Sequence, residues 1–377
     1  MIPSIATTHV LIVSNDSKSL LDFRWGLIQS LRQQQTTVSI VCNQDASFDA
    51  LQQAAKQDQV QLIPYPIRNN GLNPLADLKF LIWLRRLYKT HVITHALLYR
   101  VKPVIYGSLA ALGTSVKPIA TITGLGYVYT QKTAKTTILR FITNQLYRLS
   151  LARSHWIFFQ NKDDREFFLN QNLVNTAKTS VVGGSGVDLD TFPVTPLPKT
   201  LSFLMAARLL RDKGVLEYLE AAAALKKKYP HVIFKLAGGK SDNPAALKVE
   251  DIQEFCENHN LMYMGEVKDM PQALQASSIF VLPSYREGMP RAGLEALSCA
   301  RPIVTTDTQG CRDLISNNGF MVPVQDTETL KQAMEQMILL DRPKLEEFAQ
   351  NSRRLAETVY DVRFVNQQIL SKLQIFS

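Results

Sequence analysis

Short apolar runs rich in Val, Ile and Phe alternate with longer segments of helical periodicity along this 377-residue chain, in two successive series. That alternation is the signature of parallel sheets joined by crossover helices. The first series predicts strands at 9–14, 37–42, 91–96, 118–122 and 156–159, with helices beginning near Ser19, Ser47, Pro74, Pro103 and Ala134. The second starts beyond the proline-dense stretch Pro193-Val-Thr-Pro196-Leu-Pro198 and predicts strands at 201–206, 232–237, 279–283 and 302–306. The expected architecture is α/β, with two Rossmann-like doubly wound domains facing across a cleft. Residues 1–185 form the first domain, 186–200 an extended linker, and 201–355 the second domain; 356–377 form a C-terminal helix that could cross back to the first. Two domains also suit the length, which exceeds what one core usually serves. Ligands of such sheets bind beyond the carboxyl ends of the strands, so chemistry is expected there.

Charge divides the halves. Residues 1–185 carry 20 Lys and Arg against 9 Asp and Glu, while the remainder carries 22 against 24. Between 68 and 153 there are 13 basic residues and one acid, Asp77. A surplus that local calls for an anionic partner: lipid headgroups, a pyrophosphate-bearing substrate or nucleic acid. No apolar stretch reaches the ~20 residues that span a bilayer, and the first residues lack the features of a cleaved leader, so a cytoplasmic protein is expected. Cys42, Cys256, Cys299 and Cys311 are scattered, with no spacing suited to a metal, and no metal or cofactor is expected. A dinucleotide fingerprint is absent: neither Gly183-Gly184-Ser185-Gly186 nor Gly124-Leu125-Gly126 fits G-x-G-x-x-G after a strand.

The most informative segment follows the strand at 279–283. Tyr285-Arg286-Glu287-Gly288-Met289-Pro290 leads into the helix formers Arg291 to Ala300. Proline suits a first helical turn, which puts the helix start at about Met289 to Pro290. Gly288 permits close backbone approach, and the free amides beyond it, at the positive end of the helix dipole, suit a phosphate. Glu287 in the loop and Glu295 within the helix can accept hydroxyls at opposite ends of one ligand. Taken alone, both could be ordinary helix-associated acids. After the strand at 201–206, however, come Arg208 and, five residues on, Lys213-Gly214, two cations able to clamp a diphosphate.

With ARLLRDKG, GSGVDLDTF and REGMPRAGLEALSCARPIVTTDTQGCRDLI, the chain resembles the family-4 retaining glycosyltransferases of the GT-B fold. The resemblance covers nearly the whole chain. It implies that Arg208 and Lys213 hold the diphosphate of a nucleotide-sugar donor, that Glu295 binds its ribose and that Glu287 contacts its sugar. Gly288, Met289, Pro290 and Arg291 would complete the phosphate cradle. It further implies transfer with retention, no bound metal, and front-face attack within an ion-pair-like state. Many members carry a His near the position of Thr121-Ile122-Thr123-Gly124, where this chain has none.

Arg68-Asn-Asn-Gly-Leu-Asn-Pro74, VKPVIYGSLAA and TITGLGYVYT resemble the bacterial subgroup that extends undecaprenyl-diphosphate-linked sugars, often from UDP-sugars. This implies a polyprenyl-diphosphate-linked sugar as acceptor. Thr123, Gly124, Leu125, Gly126 and Tyr127 are candidate acceptor contacts, with Tyr127 and Tyr129 as a stacking face and Lys102 meeting the acceptor diphosphate. The segment 132–153 is basic and helix-compatible, with Ile138, Phe141, Ile142, Leu146 and Leu149 on one side. It could face the core or dock on the inner face of an anionic membrane through Lys132, Lys135, Arg140, Arg148 and Arg153. The alternatives are an epimerase of the same fold acting on UDP-N-acetylglucosamine, or a transferase with a soluble acceptor. A nucleic-acid partner is not expected, because the cations are not interleaved in a recognisable binding module.

Overall fold

The computed structural model describes residues 8–67, 73–125, 129, 134–241, 243 and 246–373, except the side chains of Ala134 and Lys135. It divides into two compact units, Met1–Ser185 with Val365–Ser377, and Gly186–Phe364.

The first unit is built on a seven-stranded parallel sheet: β1 (His9–Val13), β2 (Thr37–Cys42), β3 (Gln61–Pro64), β4 (His95–Tyr99), β5 (Lys117–Ile122), β6 (Trp156–Phe159) and β7 (Thr179–Val181), in the order β3-β2-β1-β4-β5-β6-β7. β1, β4 and β5 are buried almost throughout, as the inner strands of a sheet covered on both faces must be. On one face lie α1 (Ser17–Gln33) and α2 (Phe48–Gln57). On the other lie α3 (Pro74–Thr90), a π-type turn at Pro103–Gly107 running into α4 (Ser108–Ala110), then α5 (Ala134–Leu151) and α6 (Lys162–Asn170). The start of α3 is written locally: Pro74 opens the first turn and the Asn73 side chain accepts from the Ala76 amide at 3.1 Å.

The second unit has a six-stranded parallel sheet: β8 (Ser202–Ala206), β9 (Ile233–Ala237), β10 (Met262–Gly265), β11 (Ile279–Leu282), β12 (Ile303–Thr306) and β13 (Gly319–Val322), ordered β10-β9-β8-β11-β12-β13. Its helices are α7 (Val215–Lys228), α8 (Val249–Asn258), α9 (Met270–Gln275), α10 (Arg291–Ser298), α11 (Thr327–Leu339) and α12 (Arg342–Leu355). The last helix, α13 (Val362–Leu373), starts in this unit and delivers Val365, Ile369 and Leu373 to the core of the first, beside Leu20, Leu27 and Ile28 of α1.

Several sequence expectations need correction. The strand expected at 91–96 lies four residues later, because Val92 takes a left-handed conformation (φ 48°) in the turn that ends α3. β3, β7, β10 and β13 were not anticipated; β3 and β10 are short, with side chains half-buried or exposed, so no apolar run marks them. Pro103 opens a π-type turn and a single short helical turn rather than a regular helix. The stretch 186–200 is not a free linker. Val187, Leu189, Phe192 and Leu197 are buried in the second unit, and the buried Arg301 guanidinium donates to the Thr195 carbonyl and hydroxyl. Beside it, Val187 donates to Tyr360 O at 2.7 Å and accepts from the Val362 amide at 3.0 Å. Gly186 makes this approach possible: it sits at φ 72°, and a Cβ there would lie 2.6 Å from Val362 Cα.

Candidate functional site

In the second unit the strand order reverses between β8 and β11, and ligands of doubly wound sheets bind beyond the carboxyl ends of such strands. β8 ends at Ala206, and the chain continues through Arg208 into a 3₁₀ turn at Arg211–Lys213. Gly214 then takes a left-handed conformation (φ 71°, ψ 27°) and opens α7. A side chain there would place Cβ 2.1 Å from the Pro283 carbonyl oxygen, so only glycine lets this turn press against the end of β11. The contact is secured by the Tyr285 amide donating to Asp212 O at 2.8 Å.

That junction brings Lys213 to Glu287 across 74 residues of sequence. Lys213 Nζ lies 2.6 Å from Glu287 Oε1, and the Ser284 hydroxyl donates to the same oxygen at 2.9 Å. Both partners are largely buried, 13% and 16% exposed, so Lys213 is not the surface charge that its sequence alone allows. Arg208, by contrast, is exposed and forms no ion pair among the described residues. The loop carrying Glu287 is held from its other side as well. The Glu287 amide donates to Gln309 O at 3.2 Å, and Gly310, at φ 75°, lies so close that a Cβ would meet Gly288 O at 2.6 Å. Cys311 is fully buried nearby; burial, and after it the Glu287 carboxylate, push its thiol up to about 12, so it stays protonated and inert.

α10 begins at Arg291, slightly later than expected. Pro290 is extended at ψ 108°, and its carbonyl accepts from the Gly293 and Leu294 amides, which makes it the cap. The Arg291 and Ala292 amides therefore precede the first i→i−4 bond of the helix. Glu295 is 8% exposed, not a solvated helix residue, and its Oε1 accepts from Arg291 Nε at 2.6 Å. Gly293 lets α10 settle on Leu314, whose Cδ1 would lie 2.3 Å from any Cβ. Together these elements put two cations, two carboxylates and a helix start at the strand ends of one sheet. Sequence reading missed Ser284, whose hydroxyl orients Glu287, and the glycines at 310 and 293, whose roles depend on neighbours far along the chain.

The first unit answers the acceptor-side expectations unevenly. Thr123 and Gly124 (φ 139°) follow the end of β5, half-buried, but the Leu125 side chain belongs to the core. Gly126, Tyr127, Lys132 and residues 68–72 lie outside the described residues, as does the Lys135 side chain. Tyr129 is not a bare stacking face: its hydroxyl donates to Asn144 Oδ1 at 2.5 Å and its ring meets Phe167 edge-on. Lys102 is paired with Asp77, Nζ to Oδ1 2.8 Å, so its charge is already matched. Arg148 is exposed and donates to the Gln171 and Asn172 carbonyls, and Arg153 is exposed. Arg140 lies with its guanidinium 5.9 Å from the Tyr129 ring centroid. Where this sheet reverses, Arg100 is held at φ 75° and donates to Asp16 at 2.8 Å, a pair that sequence spacing could not reveal. All four cysteines are buried and free, no group of His, Cys, Asp and Glu among the described residues is placed to hold a metal ion, and no described helix is long and apolar enough to cross a membrane.

Residues 200–339 match the family described as Glycosyl transferases group 1, and residues 9–161 match Glycosyl transferase 4-like. The chain is 30% identical over 376 residues, covering 95% of it and 96% of the relative, to the N,N'-diacetylbacillosaminyl-diphospho-undecaprenol alpha-1,3-N-acetylgalactosaminyltransferase of Campylobacter jejuni. It is 26% identical over 322 residues to the UDP-Gal:alpha-D-GlcNAc-diphosphoundecaprenol alpha-1,3-galactosyltransferase of Escherichia coli, covering 81% and 80% of the two chains. Among solved structures, a Rickettsia africae glycosyltransferase superposes with a TM-score of 0.77 at 17% identity over 98% of both chains. Anabaena Alr3699/HepE in complex with UDP-glucose gives 0.74 at 17% identity over 98% and 100%. These likenesses favour a transferase over an epimerase and identify the two doubly wound sheets with the GT-B fold. The chain belongs to the group 1, 4-like glycosyltransferases.

Proposed function

We propose that this glycosyltransferase moves a hexose or N-acetylhexosamine from a UDP-sugar onto a polyprenyl-diphosphate-linked saccharide, with retention and without a metal, at an anionic membrane surface. The observation that carries the donor side is the Lys213–Glu287 pair beside the buried Glu295, at the reversal of the second sheet. In this reading Arg208 and Lys213 hold the diphosphate with the backbone from Gly288 to Arg291, Glu295 takes the ribose hydroxyls, and Glu287 takes a hydroxyl of the sugar. Lys213 can serve both partners, since one ammonium hydrogen bond to Glu287 leaves two donors for phosphate oxygens. The bond from the anomeric carbon to the phosphate oxygen breaks and its electron pair leaves with UDP. The acceptor hydroxyl attacks the same face, and its proton passes to the departing phosphate oxygen. Arg208, Lys213 and the start of α10 stabilise the charge that develops there.

The lipid-linked acceptor is supported by the names of the Campylobacter and Escherichia relatives. Incubating the protein with UDP- and GDP-sugars and polyprenyl-diphosphate-linked acceptors in the presence of EDTA should yield product from a UDP-sugar, with the donor's anomeric configuration kept. Product on soluble acceptors alone would remove the lipid-linked reading; inhibition by EDTA or an inverted linkage would remove the corresponding part of the mechanism.

Membrane docking is supported by two helices on one face of the first sheet. On α5, Ile138 and Phe141 are each 65% exposed, with Ile142 and Leu149 exposed beside them, while Leu146 is partly buried against the core. α3 turns Leu75, Leu78 and Ile82 outward, next to Lys79, Arg86 and Lys89. Both helices pack on the Pro103–Ala110 segment between them. Insertion of such side chains contributes about 1.5–3 kcal/mol each, and each nearby cation adds about 1 kcal/mol on an anionic leaflet. The double substitution Ile138→Asp with Phe141→Asp should therefore lower partitioning onto phosphatidylglycerol-containing vesicles by well over tenfold, as roughly 1.4 kcal/mol already gives that factor. Sedimentation with vesicles reads this directly, and unchanged partitioning would exclude α5 from the contact.

A further inference from the structure

Beyond the carboxyl end of β3, the turn after Pro64 and the first two turns of α3 enclose a cavity of about 240 Å³, lined by Tyr65, Asn73, Asp77, Phe80 and Lys102 among others. Asp77 is the single acid among the 13 cations between 68 and 153, and it is 5% exposed. Its Oδ1 accepts from Lys102 at 2.8 Å and its Oδ2 from the Tyr106 hydroxyl at 3.2 Å. Tyr65 closes another side, its ring centroid 4.3 Å from Trp83 and 5.1 Å from Phe80.

Unlike Lys213, which has Arg208 and the start of α10 beside it, Lys102 is answered by a carboxylate at contact distance and the other cation lining the cavity, Lys79, is exposed, so the pair itself offers a diphosphate little net charge. What the pair still offers is different. The ammonium keeps two N–H donors, and the carboxylate has about four lone-pair sites, of which two are taken. Donors and acceptors set side by side against an aromatic face suit a neutral polyhydroxylated ring, because each sugar hydroxyl both gives and accepts a hydrogen bond. Tyr106 fits the same picture: burial, and then Asp77, push its phenol up to about 12, so it remains a donor to the carboxylate.

We propose that the Asp77–Lys102 pair binds the hydroxyls of a pyranose, the sugar of the acceptor, and does not bind the acceptor's diphosphate. This rests on the acceptor reading given above. It makes Asp77 a specificity-determining residue, where the sequence marked it only as the single acid of a basic segment.

The test uses the full chain with the donor side saturated by UDP, and methyl glycosides of glucose, galactose, N-acetylglucosamine and N-acetylgalactosamine as probes in saturation-transfer NMR. Wild type should give signals with at least one glycoside. Asp77→Asn, which keeps the side-chain shape, and Lys102→Met should each lose them while the UDP signals persist. In transfer assays Asp77→Asn should raise KM for the lipid-linked acceptor by about tenfold, with KM for the nucleotide sugar unchanged. A pair that only staples α3 to the Pro103 turn would instead leave glycoside binding intact, or lower UDP binding and glycoside binding together. Glycoside signals unchanged in Asp77→Asn, no glycoside signal in wild type, or Lys102-dependent displacement by inorganic pyrophosphate would each overturn the proposal. Asp77-dependent glycoside binding in a protein that transfers only to soluble acceptors would remove the lipid-linked reading and leave this subsite standing.

Discussion

Glu295→Ala is expected to weaken UDP binding by roughly a hundredfold. Two charge-assisted hydrogen bonds to a ribose are worth about 1.5–3 kcal/mol each, and the lower figure for both gives about that factor. The side chain is held in place by the protein itself, since α10 is fixed by the close approach of Gly293 to Leu314 and Arg291 Nε holds Glu295 Oε1 at 2.6 Å. Little ordering remains to oppose binding, so most of the interaction should appear as affinity. Titration calorimetry with UDP measures the effect, and circular dichroism checks that the variant keeps its fold. Glu295→Gln should fall between wild type and alanine, because the amide still accepts but carries no charge. An alanine variant that binds UDP as wild type does would remove Glu295 from the ribose.

The second large effect separates the two cations. Lys213→Ala and Arg208→Ala should each lower the rate of transfer by roughly a hundred- to a thousandfold, the usual loss when one preorganised group is taken from a developing charge. Their consequences for stability should differ. Arg208 is exposed and unpaired among the described residues, so its removal should leave the melting temperature unchanged. Lys213 is 13% exposed and its loss strands the Glu287 carboxylate, with only the Ser284 hydroxyl remaining on Oε1. The cost should lie between the ~1 kcal/mol of an exposed pair and the ~3 kcal/mol of a buried one. Single-turnover kinetics and thermal melts of the two variants, run together, decide it. If Lys213→Ala melts early yet transfers sugar at the wild-type rate, the pair is structural and the diphosphate belongs to other groups.

How far the sequence carried this result depends on where each signal resides. The inner strands were legible because burial on both faces forces a continuous apolar run, as in Leu11–Val13 or Phe203–Met205. Edge strands escape that rule, and Gln61–Pro64 is exposed at both ends. The carboxylates and cations proposed for the donor side could be named from their places after strands together with the family resemblance. What spacing could not give was their mutual contact, because Lys213 meets Glu287 only through a left-handed Gly214 pressed on Pro283, a fact about two loops and not about either. The same holds for Asp77. In sequence it is an ordinary first-turn acid of a helix, and its importance appears only when Lys102 and Tyr106 arrive from the segment after β4. The stretch from 186 to 200 misled for a related reason: proline density reads as extension, and extension is compatible with burial once Arg301 and Arg342 donate to its carbonyls.

The way the chain passes between its units limits how it can be taken apart. It leaves the first unit after Ser185 and returns at Val365, and residues next to these two crossings are laced together by the paired amides of Val187 and Val362 over Gly186. Severing the polypeptide after Ser185 would therefore not release an intact half. The amino-terminal fragment would lose Val365, Ile369 and Leu373 and bare the apolar seat they fill beside α1, an invitation to aggregate. A soluble version of that half would have to carry the final helix with it, joined by a new connection across the two cut ends.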